Sequence, residues 1–237
     1  MYNRLKSKHE VIALNDHSRT DSPRTTLLTA RYTVKEEVFN SITHGIGALL
    51  SIAALVILVA FASVQGDPWR IVSFSVYGFT LFFLYLSSTL YHSVFHEKAK
   101  RVLRVFDHAS IFLVIAGSYT PVALVAMDGV WRWVIFGLVW SLAITGIILK
   151  AINLNKTKKF STALYIAMGW MVIIAIKPML STVPIGLLGW LLAGGLLYTF
   201  GIVFYVSKRI PFHHGIWHIF VLGGSIAHFF GILFYLA

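Results

Sequence analysis

Seven long apolar stretches occupy the chain from residue 41 to its end. They run at about 41–64, 69–94, 106–127, 130–150, 160–180, 184–206 and 214–237. A bilayer's hydrocarbon core is about 30 Å thick, and a helix needs roughly 20 apolar residues to cross it. In lipid every backbone N–H and C=O must be satisfied within the protein, so helices or closed barrels are the available solutions. Runs this long, without strict alternation, are helices. The expected fold is an all-α membrane protein, a seven-helix transmembrane bundle. Composition agrees: 57% of residues are hydrophobic and 12% charged, about half the charge fraction of a soluble domain.

Charge placement sets the orientation. Seven spans put the two ends of the chain on opposite sides. The segment 1–35 carries seven Lys/Arg, the loops after spans two and four carry four each (counting Lys150), and the last loop carries two. That makes 17 on one side, against Arg70, Arg132 and Lys177 on the other. The positive-inside rule then places the N-terminus in the cytoplasm and the C-terminus outside. The net charge of +11 is therefore topological, and no nucleic-acid partner is expected. Residues 1–35 are polar, lack the apolar core of a secretory signal, and are expected to form a disordered tail before a membrane domain at 36–237. The protein is expected in the cell membrane as a multi-pass protein.

The chain contains no cysteine. Disulfides and thiolate metal sites are excluded, and any metal must take His or oxygen ligands. His214 and His218 are four apart at the start of span seven, hence on one helical face. His92 ends span two and Asp107 opens span three, so all four share one membrane depth. Ser88 lies one turn before His92, about 6 Å deeper. Three neutral imidazoles suit a tetrahedral Zn²⁺ with its fourth position open for water. Asp107 would orient that water or support the ligands from behind. Each residue also has a plainer explanation. His92 can snorkel, Asp107 can cap a helix, and Ser88 can bond its own backbone carbonyl.

Other polar residues are placed by helical geometry. His213 points off the His214–His218 face, and His108 faces away from Asp107. His228 lies about 15 Å deeper than His218, too far to share a metal, and is expected to line a polar cavity. Glu37, Asn40 and His44 form a polar seam entering span one, which either braces the site or caps the helix. Trp69, Trp131, Trp133 and Trp190 suit an interfacial belt. Gly45, Gly47, Gly117, Gly194, Gly195, Gly223 and Gly224 suit close helix packing.

Four segments carry a family resemblance: Asn40-Ser-Ile-Thr-His44-Gly-Ile-Gly47, Ser88-Thr-Leu-Tyr-His92, Asp107-His108 through Ala116-Gly-Ser-Tyr-Thr-Pro121, and His214-Gly-Ile-Trp-His218 through Ala227-His228-Phe-Phe-Gly231. In this order they resemble the bacterial hemolysin III proteins, which are related to the adiponectin and progestin receptors and more distantly to the alkaline ceramidases. The resemblance implies a zinc ion near the cytoplasmic face, held by His92, His214 and His218, with Ser88 and Asp107 completing the site. It implies lipid amide hydrolysis by zinc-activated water. On that reading Asp107 accepts a proton or orients the water, and Ser88 hydrogen-bonds the substrate. Two alternatives remain open: a cytolytic or pore-forming protein, or a membrane-lipid-homeostasis protein, each with structural zinc.

Overall fold

The apolar runs become helices, and their ends follow from local chemistry. A computed structural model describes residues 32–154, 156–207 and 209–237. The expected disordered tail lies, for residues 1–31, outside the described residues, as does Lys208 of the last loop. Residues 35–237 form one compact helical unit. Its helices are α1 (Val34–Gln65), α2 (Pro68–Ser93), α3 (Glu97–Pro121), α4 (Gly129–Asn153), α5 (Lys158–Gly169), α6 (Ile176–Thr182), α7 (Ile185–Val206) and α8 (His213–Tyr235). A π turn, Val122–Ala126, extends α3, and a 3-10 turn, Met171–Ala175, joins α5 to α6. Seven spans result, each long and apolar enough to cross a membrane, with the fifth built from α5, the 3-10 turn and α6.

Two spans start earlier than hydropathy indicates. The first helix begins at Val34 rather than near residue 41. Likewise, α3 begins at Glu97, absorbing most of the basic segment expected as a loop. Its residues are good helix formers, and His96 caps it by accepting the N–H of Ala99 at 3.4 Å. Helices need not stop where hydrocarbon stops.

Two spans are irregular inside, each next to a proline. Pro178 offers no N–H and its ring crowds the carbonyl four residues back, which is Ile174 in the 3-10 turn. Pro121 ends α3, and the chain continues as the π turn, closed by Met127 N–H to Val122 O at 3.1 Å.

Outward faces are apolar: Val64, Ile185 and Leu49 are 89%, 76% and 70% exposed. A surface of that kind belongs in lipid, and the chain is a multi-pass membrane protein. Inside, polar side chains tie spans together. Tyr85 donates to Ser225 Oγ at 2.7 Å, and Tyr198 Oη lies 2.9 Å from the same atom. Trp69 and Trp133 meet edge to face at the end of the bundle where α2 and α4 begin.

Candidate metal centre

The starts of α1, α3 and α8 and the end of α2 converge at one end of the bundle. His92 is the penultimate residue of α2, while His214 and His218 sit in the first two turns of α8. All three are buried. Each offers one ligand atom, and these atoms lie within 4.8 Å of one another. Small side-chain rotations bring such atoms to the roughly 3.4 Å spacing of a tetrahedral site with bonds of about 2.1 Å. Chain segments more than a hundred residues apart therefore make one donor set.

The tautomers are set from behind. His92 Nδ1–H donates to Glu37 Oε2 at 2.5 Å. His218 Nδ1–H donates to the Asn40 carbonyl at 3.2 Å, with Thr43 Oγ1 at the same distance. Nδ1 is thus engaged in both rings, so Nε2 is the atom each would turn to a metal. A ligand imidazole whose other nitrogen meets a carboxylate or carbonyl is the usual outer arrangement of a metal site. The donor set fits a divalent metal of borderline softness.

The polar seam of α1 is this outer wall. Its bracing role, and not a helix cap alone, is what the geometry supports. Glu37 also accepts from Lys100 Nζ at 2.7 Å, which joins α1 to the first turn of α3. Thr43 and Lys100 were not marked by sequence spacing. Thr43 was findable, three residues past Asn40 on the same helix. Lys100 was not, because it lies 63 residues from its partner. Close approach of α8 to α1 needs Gly215, where an added Cβ would strike the Phe39 ring and lie 3.0 Å from Asn40 Oδ1. Phe212, just before α8, adopts a left-handed φ of 56°, a strained conformation for a bulky residue. Its N–H donates to Glu36 at 3.3 Å.

Asp107 is buried and lines the cavity head with His214 and His218, while Ser88 is buried one turn before His92 on α2 and is not among the cavity-lining residues. Ser87 and Thr89 bond carbonyls of their own helix, but Ser88 Oγ has no hydrogen bond among the described residues. The back-bonding explanation of Ser88 therefore fails. Asp107 Oδ2 lies 3.0 Å from His108 Nδ1, so His108 turns toward Asp107 and not away from it. His213 Nδ1–H donates to Phe204 O at 3.0 Å, off the cluster as expected.

A cavity of about 520 Å³ opens from the cluster into the bundle. Its head is walled by His44, Asp107, His214 and His218. His228 lines it deeper, with Nε2–H donating to Leu191 O at 3.2 Å, but the cavity it lines is largely apolar and not the polar one expected. From His214 to His228 is about 21 Å along α8 at 1.5 Å per residue. Most of the remaining wall is apolar, drawn from α3, α5, α6, α7 and α8.

The family model described as "Haemolysin-III related" matches residues 32–229. The chain belongs to the haemolysin III family. That match covers every helix described above except the last turns of α8. Among haemolysin III relatives, the "Hemolysin-3 homolog" of Bacillus subtilis (strain 168) is 49% identical over 204 residues, covering 86% of this chain and 96% of that protein. The "Hemolysin-3" of Bacillus cereus is 48% identical, covering 85% and 92%. The human "Monocyte to macrophage differentiation factor" is 30% identical over 86% of each chain.

Proposed function

We propose that His92, His214 and His218 hold a zinc ion at the cytoplasmic face, and that the protein hydrolyses a lipid amide there. The observation that carries this reading is the joining of the histidine cluster to a long apolar cavity whose head also holds Asp107. Three imidazoles and no thiolate are a usual donor set for catalytic zinc. Bound zinc lowers the pKa of a water toward about 7 and polarises a carbonyl.

The chain's own residues supply the rest. The apolar cavity wall holds an acyl chain and keeps bulk water away. Asp107, with His108 Nδ1 3.0 Å from its Oδ2, accepts the proton released at the reacting water and passes it to the departing amine nitrogen. The Ser88 hydroxyl donates a hydrogen bond to the substrate carbonyl oxygen. Glu37, Asn40 and Thr43 keep the two rings they touch in the ligating tautomer. The cytoplasmic placement rests on the 17-to-3 division of Lys/Arg.

The name of the Bacillus cereus relative motivates a second reading, a cytolytic protein with structural zinc. A conducting pore needs a polar stripe through several spans. The cavity wall here is largely apolar, which favours the enzyme. The test measures zinc content and palmitoyl-ceramide hydrolysis on the same purified samples. Wild type is expected to carry about one zinc and to release fatty acid. The His214→Ala/His218→Ala double variant should lose both. Zinc retained in the double variant, or no hydrolysis by a zinc-loaded wild type, rejects the metal assignment or the hydrolase reading respectively.

A further inference from the structure

One buried imidazole at the head of the cavity has no role in the metal set. His44 is 3% exposed and lies outside the three-histidine group. Its ring stacks face to face on His218, with centroids 3.5 Å apart and planes 14° from parallel. Tyr85 meets its edge, with centroids at 5.0 Å. Gly47, one turn on, leaves room for that tyrosine, since a Cβ there would strike the Tyr85 ring. These contacts use the ring's carbon framework and its flatness. A phenylalanine would make all of them.

The nitrogens are what packing does not explain. Neither Nδ1 nor Nε2 of His44 has a hydrogen-bond partner among the described residues. Buried polar groups are nearly always satisfied, and leaving two on one ring lowers stability. A residue that lowers stability without a packing reason is a candidate for function. His44 shares the cavity head with Asp107, His214 and His218, so a molecule in the cavity with its polar end at the cluster passes directly beside this ring. A neutral imidazole brings one donor and one acceptor. That pair matches an amide or a hydroxyl, each of which also carries both.

We propose that His44 is a ligand-binding residue that grips the polar head of the cavity's occupant, an acyl compound with an amide or hydroxyl head. The inference rests on the lipid reading of the cavity but not on turnover. Its role is distinct from metal ligation and from the general-base role of Asp107.

The test uses the full-length, zinc-loaded protein in lipid nanodiscs. Binding of palmitoyl ceramide and of hexadecane is followed by the fluorescence of Trp170 and Trp217, which line the cavity. His44→Phe keeps the stacking and removes both nitrogens. It should retain zinc and keep or raise the thermal midpoint. Its affinity for ceramide should fall about tenfold, the loss of one good hydrogen bond, while its affinity for hexadecane stays unchanged. His44→Gln, which restores a donor and an acceptor, should recover part of the loss. Wild-type ceramide affinity in His44→Phe overturns the proposal. So does loss of zinc in that variant, or a wild type that binds ceramide no better than hexadecane. Should His44→Phe fail to fold, His44→Leu takes its place, and failure of both assigns a structural role and overturns the proposal. Weakened binding in His44→Phe with no hydrolysis by wild type leaves this inference standing and removes the hydrolase reading. Hydrolysis by wild type with unchanged binding in His44→Phe does the reverse.

Discussion

Single atoms decide what this site can do. Asp107 and Ser88 are both buried, yet neither belongs to the three-residue donor group. Metal binding and turnover should therefore separate at these positions. Asp107→Asn keeps the shape but cannot take a proton at neutral pH. Ceramide hydrolysis should fall about 10²–10⁴-fold, the usual worth of a general base, while zinc content changes far less. Ser88→Ala should act in the same direction and more mildly. Equal activity in Asp107→Asn and wild type, measured by released fatty acid, would remove Asp107 from the chemistry. Glu37 makes the opposite prediction. Its carboxylate holds His92 Nδ1 at 2.5 Å, so Glu37→Gln should weaken zinc about 10–100-fold, as read by competition with a chelator. Unchanged zinc affinity would reduce Glu37 to a partner of Lys100.

At the scale of helices, the site depends on how closely α8 lies against α1. His214 and His218 come from α8, while the groups that orient His92 and His218 come from α1. Gly215 faces the Phe39 ring and Asn40 directly. Gly215→Val should push the helices apart, lower the thermal midpoint and weaken zinc. Gly137→Ala in α4 is the control, since a Cβ there meets nothing within 4 Å. It should be neutral or slightly stabilising, because alanine is a better helix former by about 1 kcal/mol. If both variants lose zinc alike, the close approach at Gly215 is not what holds the donor set together. Not every glycine marked from sequence serves packing. Gly47, Gly117, Gly194 and Gly224 meet close neighbours, whereas Gly195 faces open space.

Over the whole molecule, an odd number of spans puts the first and last helix ends on opposite faces. α1 and α8 both begin at the histidine end. The basic loops lie at that end, so the positive-inside rule predicts that it faces the cytoplasm. Reporter fusions at Lys156 and Ala237 should report opposite sides, with Lys156 cytoplasmic. A shared side for both would break the seven-span arrangement, and Lys156 on the outer side would invert it.

Much of this was legible in the residue order. Hydropathy belongs to a contiguous segment, so seven spans can be counted without knowing how they pack. The absence of cysteine, the four-residue spacing of His214 and His218, and the shared depth of His92 and Asp107 likewise need only helical rise and span direction. What the order of residues left open involves distances between segments far apart in the chain. Whether Glu37 caps α1 or braces His92 depends on α1 lying against α2, 55 residues on. Whether Ser88 bonds its own helix depends on a rotamer that its neighbours select. The cavity exists because helices from all along the chain fail to close around one volume, which no single segment encodes. Local sequence determines which helices form and which side chains they carry. Only their packing determined which nitrogen of each brace-held ring remains for a metal, and that His44 lies at the cavity head with both of its nitrogens unclaimed by the described residues.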